Sequence, residues 1–195
     1  MEVDFSVELG HDDPTLHIPW SDPDGNLHYY NLKFEPEALE RVSEVAKFPA
    51  LRQFLAQVNS PETPLESAKC DMWSTTELRP EEEIFGQPWK FAAYVDLLFS
   101  NSATRDSFSL HERYLKTVTA SLQSEPEIAA SAEFILRRCF YPHDHHMREG
   151  FYFTAYVFGY GRDQSQAQDN CSGALGTVSR ALLRAWSNLV QNSTL

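Results

Sequence analysis

Alternation of apolar and polar residues marks several strands along this chain. Residues 3–9 place Val, Phe, Val and Leu on one face and Asp, Ser and Glu on the other, the pattern of a half-buried strand. The same alternation predicts short strands near residues 16–20 and 30–34, on either side of a turn at residues 21–25. Four later segments also predict strands: residues 66–75, 91–99, 134–141 and 151–160. Pro126 could instead begin a helix with Ile128, Ala132, Ile135 and Cys139 on one face, and we favour a short turn followed by the strand.

Apolar residues at helical spacing predict the helices. Pro36 is compatible with a first helical turn, and Pro49 divides the region that follows into two short helices. Ser109 and Glu112 have the spacing of a capping box, which predicts a helix over the residues behind them. The clearest helical pattern covers residues 174–189, where apolar residues recur every three or four positions.

The predicted elements follow one another as strand–strand–helix units. Residues 91–95 match residues 153–157 at four of five positions, which indicates either an internal repeat or a chance similarity of two aromatic strands. We therefore predict an α+β fold with a mostly antiparallel sheet and helices packed mainly on one face. The length favours a single domain over residues 1–195, with possible sub-units 1–62, 63–124 and 125–195.

Composition excludes several classes of protein. The chain has 28 Asp plus Glu and 16 Lys plus Arg, and the resulting net charge of −12 argues against a nucleic-acid-binding protein. The sequence has no run of about eighteen apolar residues that would cross a membrane. Its three cysteines do not form a disulfide scaffold. The acidic start of the chain lacks the pattern of a signal peptide, so we expect a cytoplasmic protein.

A histidine-rich segment is the first candidate site. His143, His145 and His146 occur with Glu149 in a predicted hairpin loop, and imidazole and carboxylate groups are the ligands of zinc and other divalent transition metals. His143 and His145 would share a side of an extended chain, whereas His145 and Glu149 would share a face of a helix. A second group of His and Asp residues lies near the N-terminal hairpin: His11, Asp12, Asp13, His17 and His28. Exposed turn residues of the same composition are the alternative interpretation.

Cys171 is the second candidate, as a catalytic thiol. If Asp169 or Asn170 caps the last helix, Cys171 lies in its first turn, where the helix dipole lowers a thiol pKa. The loop histidines would then have to supply a base. A small apolar residue packed under the sheet is the alternative.

Three further features have weaker functional interpretations. The sequence Gly159-Tyr160-Gly161-Arg162 before a helix invites a phosphate site, although it matches no known phosphate-binding motif and strand-end glycines ordinarily serve a turn or bulge. Residues 81–83 and 12–13 are acidic and predict either a solvated surface or a docking face for a basic partner. Some aromatic residues are candidates for a pocket or an interface: Tyr29, Trp73, Tyr152, Tyr156 and Tyr160.

The sequence thus leaves three hypotheses. The first is a non-catalytic module that binds a protein partner or a small ligand, and that forms a homodimer. The second is a metal-dependent hydrolase that uses the His143/His145/His146 loop. The third is a thiol enzyme that uses Cys171.

Overall fold

A six-stranded sheet forms the centre of the molecule. The structure is a computed structural model and describes residues 1–192, with side chains described to residue 189. The strands are β1 (Glu2–Val7), β2 (Leu16–His17), β3 (Leu65–Thr75), β4 (Trp89–Phe99), β5 (Ala130–His143) and β6 (His146–Gly161). The α-helices are α1 (Ser43–Lys47), α2 (Pro49–Val58), α3 (Ser102–Arg105), α4 (Phe108–Gln123) and α5 (Gln164–Asn192). Two 3₁₀ helices cover Pro36–Arg41 and Pro80–Phe85.

The sheet is mixed, with strand order β1-β5-β6-β4-β3. β1 and the two-residue β2 run parallel to β5, whereas β3–β4, β4–β6 and β5–β6 are antiparallel pairs. The fold is α+β, as predicted, but the prediction of a mostly antiparallel sheet is wrong. Alternation along residues 3–9 fixes which side chains of β1 are buried and says nothing about the direction of its neighbour. The chain reaches β5 only after the long crossover of residues 8–129, and such a connection permits parallel pairing.

The segments of the predicted repeat lie side by side in the sheet. β4 and β6 pair with Tyr94 directly opposite Tyr156, so residues 91–95 and 153–157 come close together about this point. The structure does not support an internal repeat beyond that local similarity. β6 is the middle strand, in agreement with a sequence that is apolar and aromatic on both faces.

Helices α2, α4 and α5 cover one side of the sheet, which we call the helix face. Its core is formed by the apolar residues of alternate strand positions together with the buried stripes of these helices. At Gly159, a β carbon would lie 2.2 Å from the carbonyl oxygen of Ala167 and from the amide nitrogen of Cys171. The absence of a side chain there lets the backbone of α5 pack directly on β6.

One predicted strand is absent, and two helices begin at other residues than the sequence predicts. Residues 28–34 form turns and irregular structure instead of a third strand, because the amides of Phe34 and Glu35 donate to the carbonyl oxygen of Asn31 within a turn and not to a neighbouring strand. The N-cap of α4 is Ser107, whose hydroxyl accepts a hydrogen bond from the amide of Leu110, so the capping residue lies two positions before Ser109. Helix α5 begins at Gln164, well before the predicted start near residue 170.

The opposite side of the sheet, which we call the open face, is covered at two ends. Residues 16–29 pack over one end, with Leu16, Ile18 and Trp20 against the sheet. Residues 78–85 pack over the other end, with Leu78 and Phe85 against Phe158 and Tyr160. Within residues 1–192, no helix has the length and apolarity required to cross a membrane.

Candidate functional site

A pocket lies at the edge of the sheet, beside β3. We call it the edge pocket. It has a volume of about 450 Å³, which is within the range of small-molecule sites. Most of its walls are formed by residues 20–32, by residues 41–44 where the first 3₁₀ helix joins α1, and by residues 67–71 of β3. Its aromatic and charged lining residues are Trp20, Asp22, His28, Tyr30, Arg41, Glu44, Lys69, Asp71 and Tyr94.

One hydrogen bond and one cation–π contact hold the wall opposite β3. The indole N–H of Trp20 donates to the carbonyl oxygen of Ala68 at 2.8 Å, which ties the loop to the strand. That oxygen is available because the register of β3 against β4 shifts between Ser67 and Lys69, as in a β-bulge. The Lys69 ammonium lies 5.1 Å from the centre of the Trp20 ring, a cation–π distance.

A row of polar residues crosses the open face next to this pocket. Lys69 on β3 is opposite Asp96 on β4, and Asp96 is opposite Thr154 on β6. The Thr154 hydroxyl donates to Asp96 at 2.6 Å and accepts from the Arg137 guanidinium at 3.0 Å. Arg137 also donates to the carboxylate of Glu8 at 2.7 Å. The row therefore links four strands to the segment after β1.

Asp96 is the most perturbed carboxyl of this row. Its residue is only 7% exposed, and burial raises its pKa to about 6, while the Thr154 hydroxyl and the charges of Lys69 and Arg137 act in the opposite direction. Among the described residues, the Thr154 hydroxyl is the only donor to this carboxylate. A buried carboxyl with so few donors is uncommon in a structural core, and such groups concentrate at functional sites.

Aromatic rings continue from the pocket across the open face. The Tyr94 ring lies 6.4 Å from Trp73 and 5.6 Å from Tyr156, and Tyr156 stacks parallel to Phe158 at 6.1 Å. Burial raises the pKa of Tyr94 above its ordinary value, with Asp96 and Asp71 adding to the effect, so its hydroxyl keeps its proton. The site thus combines a hydroxyl donor, flat apolar walls and charges of both signs.

A second, smaller pocket of about 340 Å³ lies at the other end of the open face. Its deepest charged group, Glu82, is 2% exposed and accepts hydrogen bonds from Lys90 at 2.8 and 3.0 Å and from Tyr160 at 2.9 Å. The prediction of a solvated acidic segment at residues 81–83 is therefore wrong for Glu82. Its carboxylate anchors the 3₁₀ helix to the sheet, while Glu81 and Glu83 remain exposed.

The predicted metal ligands lie in the β5–β6 hairpin. His143 is the last residue of β5 and is opposite His146, the first residue of β6, so the helical alternative for this segment is wrong. His145, His146 and Glu149 are exposed, and Glu149 lies 3.5 Å from Arg138. In the part of the chain that the structure describes, no group of three or more His, Cys, Asp or Glu side chains is placed to hold a metal ion.

Cys171 lies inside α5 and not in its first turn. The thiol is fully buried, lies 3.5 Å from the carbonyl oxygen of Val157, and has a pKa that burial raises to about 12. The predicted effect of a helix N-terminus on this thiol is therefore wrong, since the helix starts seven residues earlier. Burial raises the pKa of Cys70 and Cys139 to about 12 as well.

The remaining candidates are dispersed. Gly159 and Gly161 are strand residues of β6 that face α5, so neither serves a turn or a phosphate loop. Tyr29 packs on Trp20, and Tyr160 lines the second pocket. In the N-terminal group, His11 and Asp12 pair in solvent, and His28 lies in the edge pocket.

Sequence reasoning missed Lys69 and Asp96 as site residues. The signal for Asp96 was present: it is the single charged residue among the nine residues 91–99 of a strongly apolar strand. A carboxyl in such a position has to be buried with a partner or to face a site. Lys69 carried no comparable signal, because its neighbour across the sheet is set only by the strand register.

Comparisons with protein-family models, with curated proteins and with solved structures returned no match to this chain. The inference about function therefore rests on the geometry and chemistry of the edge pocket and of the polar row beside it.

Proposed function

We propose that this chain is a non-catalytic module that binds a small organic ligand in the edge pocket. The observation that supports the proposal is the combination of a cavity of about 450 Å³ with the aromatic walls Trp20, Tyr30 and Tyr94. Small-molecule sites are concave, are lined largely by apolar and aromatic side chains, and carry a few polar groups that orient the ligand. The edge pocket is concave, about half of its lining residues are apolar or aromatic, and the others include charged groups of both signs that could orient a ligand.

Binding is favoured over catalysis by the state of the candidate nucleophiles. The three cysteines have pKa values raised to about 12, which leaves almost no thiolate at neutral pH. A metal-dependent hydrolase needs at least three converging ligands, and residues 1–192 contain no such group. The hydrolase and thiol-enzyme hypotheses therefore have less support than ligand binding.

A small ligand is also favoured over a homodimer that pairs the sheet edges. On β1, the Asp4 carboxylate accepts the amide of Phe5 at 2.7 Å, and on β3 the Asp71 carboxylate accepts the amide of Met72 at 2.7 Å. Charged side chains on an edge strand oppose pairing with another strand. A second copy of the chain would have to displace the carboxylate of the edge strand with which it pairs.

A fragment screen monitored by ¹H–¹⁵N NMR tests the proposal. The protein has four tryptophans, and only the Trp20 indole belongs to the lining of the edge pocket among the described residues. We expect several flat fragments to shift the Trp20 indole signal while the signal of Trp186, which contacts Phe99 on the helix face, remains in place.

Two matched variants complete this test. Trp20→Phe removes the indole hydrogen bond that ties the loop to Ala68, and we expect it to weaken binding of every such fragment. Because this variant lacks the indole signal, binding to both variants is followed by the backbone amide signals of residues 67–71. Trp186→Phe changes a tryptophan on the helix face, outside the pocket lining, and is expected to leave binding unchanged. A screen that shifts no Trp20 signal, or equal binding by the two variants, would contradict the proposed function.

A further inference from the structure

Two cations of the edge pocket lack the partners that most other cations of the protein have. Within residues 1–189, neither Lys69 nor Arg41 has a carboxylate at ion-pair distance, and neither donates a hydrogen bond. Lys47 and Arg113 share this property, but both are exposed and lie outside the pocket. Lys69 is therefore the one described cation that is half-buried and still free of a hydrogen-bond acceptor.

The carboxylates of the same pocket are already engaged. Each of them accepts a hydrogen bond from a residue close to it in the chain. The pairs are Asp22 with the amides of Asn26 (2.7 Å) and Leu27 (3.1 Å), Asp71 with the amide of Met72 (2.7 Å), and Glu44 with the hydroxyl of Ser43 (2.9 Å). The backbone donors also lower the pKa of Asp22. Among the described residues, the charged groups of the pocket that lack a hydrogen-bonding partner are therefore its two cations, and a negatively charged acceptor would pair with them.

We propose that the ligand of the edge pocket is a flat ring compound that bears a single carboxylate. This inference rests on the proposed function, since it names the ligand class of the same pocket. The carboxylate pairs with the Lys69 ammonium, and the ring packs against the aromatic walls formed by Trp20 and Tyr94. Such a ligand gives the Lys69 ammonium an acceptor and also buries the accessible ring surfaces of Trp20 and Tyr94.

The charge of the surroundings limits the ligand to one negative charge. Three carboxylates line the pocket beside its two cations, and Asp96 stands across the strand from Lys69. The whole chain carries a net charge of −12. The attraction of a ligand to Lys69 grows in proportion to the ligand's charge, whereas the cost of removing the ligand from water grows roughly with the square of that charge. A phosphate monoester with two negative charges is therefore disfavoured relative to a carboxylate in a pocket where one lysine is the partner.

A series of naphthalene probes separates the ring from the charge. We would titrate 2-naphthoate, 2-naphthalenemethanol, 2-naphthylmethylammonium and 2-naphthyl phosphate into ¹⁵N-labelled protein and follow the Trp20 indole signal. We expect the carboxylate to bind about tenfold more tightly than the ammonium compound, with the alcohol between them. The phosphate ester is expected to bind more weakly than the carboxylate.

Variants at Lys69 identify the residue that recognises the carboxylate. Lys69→Met should remove the preference for 2-naphthoate over the ammonium compound, and Lys69→Arg should keep it, because the charge is retained. Lys47→Met removes another unpaired lysine outside the pocket and is the matched control. Thermal melting of all three variants checks that the fold is intact.

The outcomes separate this inference from the function on which it rests. If no naphthalene shifts the Trp20 signal, the small-ligand function and the ligand class both fail. If the alcohol, the ammonium compound or the phosphate ester binds as tightly as 2-naphthoate, the ligand class is overturned and the function stands. A preference for 2-naphthoate that survives in Lys69→Met would overturn the assignment to Lys69.

Discussion

Glu82 and Asp96 are both buried carboxyls on the open face, yet their surroundings are opposite. Glu82 accepts hydrogen bonds from Lys90, Tyr160 and the backbone of Arg79, and these donors hold its pKa below the ordinary value although burial acts the other way. Asp96 has one hydroxyl donor, and burial raises its pKa to about 6. Both oxygens of the Glu82 carboxylate thus accept hydrogen bonds from the fold, whereas the Asp96 carboxylate has a single donor among the described residues.

The contrast between Glu82 and Asp96 separates a part of the open face that stabilises the fold from a part that does not. Around Glu82, every partner belongs to the sheet or to the segment that covers it, so the cluster fastens residues 78–85 in place. Around Asp96, the fold leaves a costly group with little compensation, next to a pocket that contains an unpaired lysine. Natural proteins tend to sacrifice stability at functional sites and to keep it elsewhere. A poorly compensated Asp96 beside a pocket, on the same face as a well-paired Glu82, is the pattern expected of a binding site.

Glu82→Gln is expected to have the largest effect on stability. The change leaves the Lys90 ammonium buried without its counter-charge, and breaking a buried pair in this way costs about 3 kcal/mol or more. The loss should be seen as a lower free energy of unfolding in urea at pH 7. Because the folded-state pKa of Glu82 lies below that of the unfolded chain, the wild-type advantage should also fade as the pH drops below about 4.5.

Glu83→Gln is the matched control for this prediction. Glu83 is exposed on the same 3₁₀ helix, so its neutralisation should change the free energy of unfolding by less than about 0.5 kcal/mol. Lys90→Met in the Glu82→Gln background should recover part of the loss, since it removes the stranded charge. Equal stability of the two glutamine variants would show that the Glu82 cluster does not fasten the cover.

Sequence patterns predicted much of this fold because most elements have one buried face. The alternation of residues 91–99 and the helical spacing of residues 174–189 correctly located β4 and the main part of α5. Residues 30–34 alternate in the same way and still form no strand. Their apolar residues do not share one buried face, since Leu32 is in the main core while Phe34 is 78% exposed. Alternation reports burial on one side and does not report whether a partner strand is present.

The candidate site was less predictable, since it depends on which residues become neighbours across strands. The histidine loop was conspicuous because its residues are adjacent in sequence, but exposed hairpin positions do not converge. Lys69 and Asp96 are far apart in sequence and meet only through the register of β3 against β4. That register includes a bulge near Lys69, which no local pattern specifies.

Asp96→Asn sharpens the comparison because its expected effect has the opposite sign. A rise of the Asp96 pKa from 3.8 to about 6 means that the folded state binds the proton more tightly, so stability falls as the pH rises through this window. Each pKa unit is worth about 1.4 kcal/mol, so the ionised carboxyl costs the fold up to about 3 kcal/mol at pH 7. Asparagine does not ionise and still accepts from Thr154, and it should stabilise the protein at pH 7.

The pH dependence of this gain is the decisive measurement. Urea unfolding of wild type and Asp96→Asn should give a difference in the free energy of unfolding that is largest at pH 7 and shrinks below pH 6. The difference should vanish near pH 3, where the Asp96 carboxyl is protonated in both the folded and the unfolded state. Asp71→Asn, at an exposed aspartate on the neighbouring strand, is the control for the substitution itself. A loss of stability in Asp96→Asn at pH 7 would mean that Asp96 is compensated as well as Glu82.

Thr154→Val tests the single hydrogen bond that still supports the ionised Asp96, and its expected effect is the smallest. Removal of the hydroxyl should cost about 1 kcal/mol at pH 7 and should raise the Asp96 pKa further, because the charged form loses its donor. Thr154→Ser keeps the hydroxyl and should keep the wild-type pKa, as followed by the ¹³C carboxyl shift of Asp96 during titration. If the Asp96 pKa is the same in the valine and serine variants, the carboxylate must be supported by solvent on the open face. Asp96 would then resemble a surface group more than a buried one, and the contrast with Glu82 would rest on exposure alone.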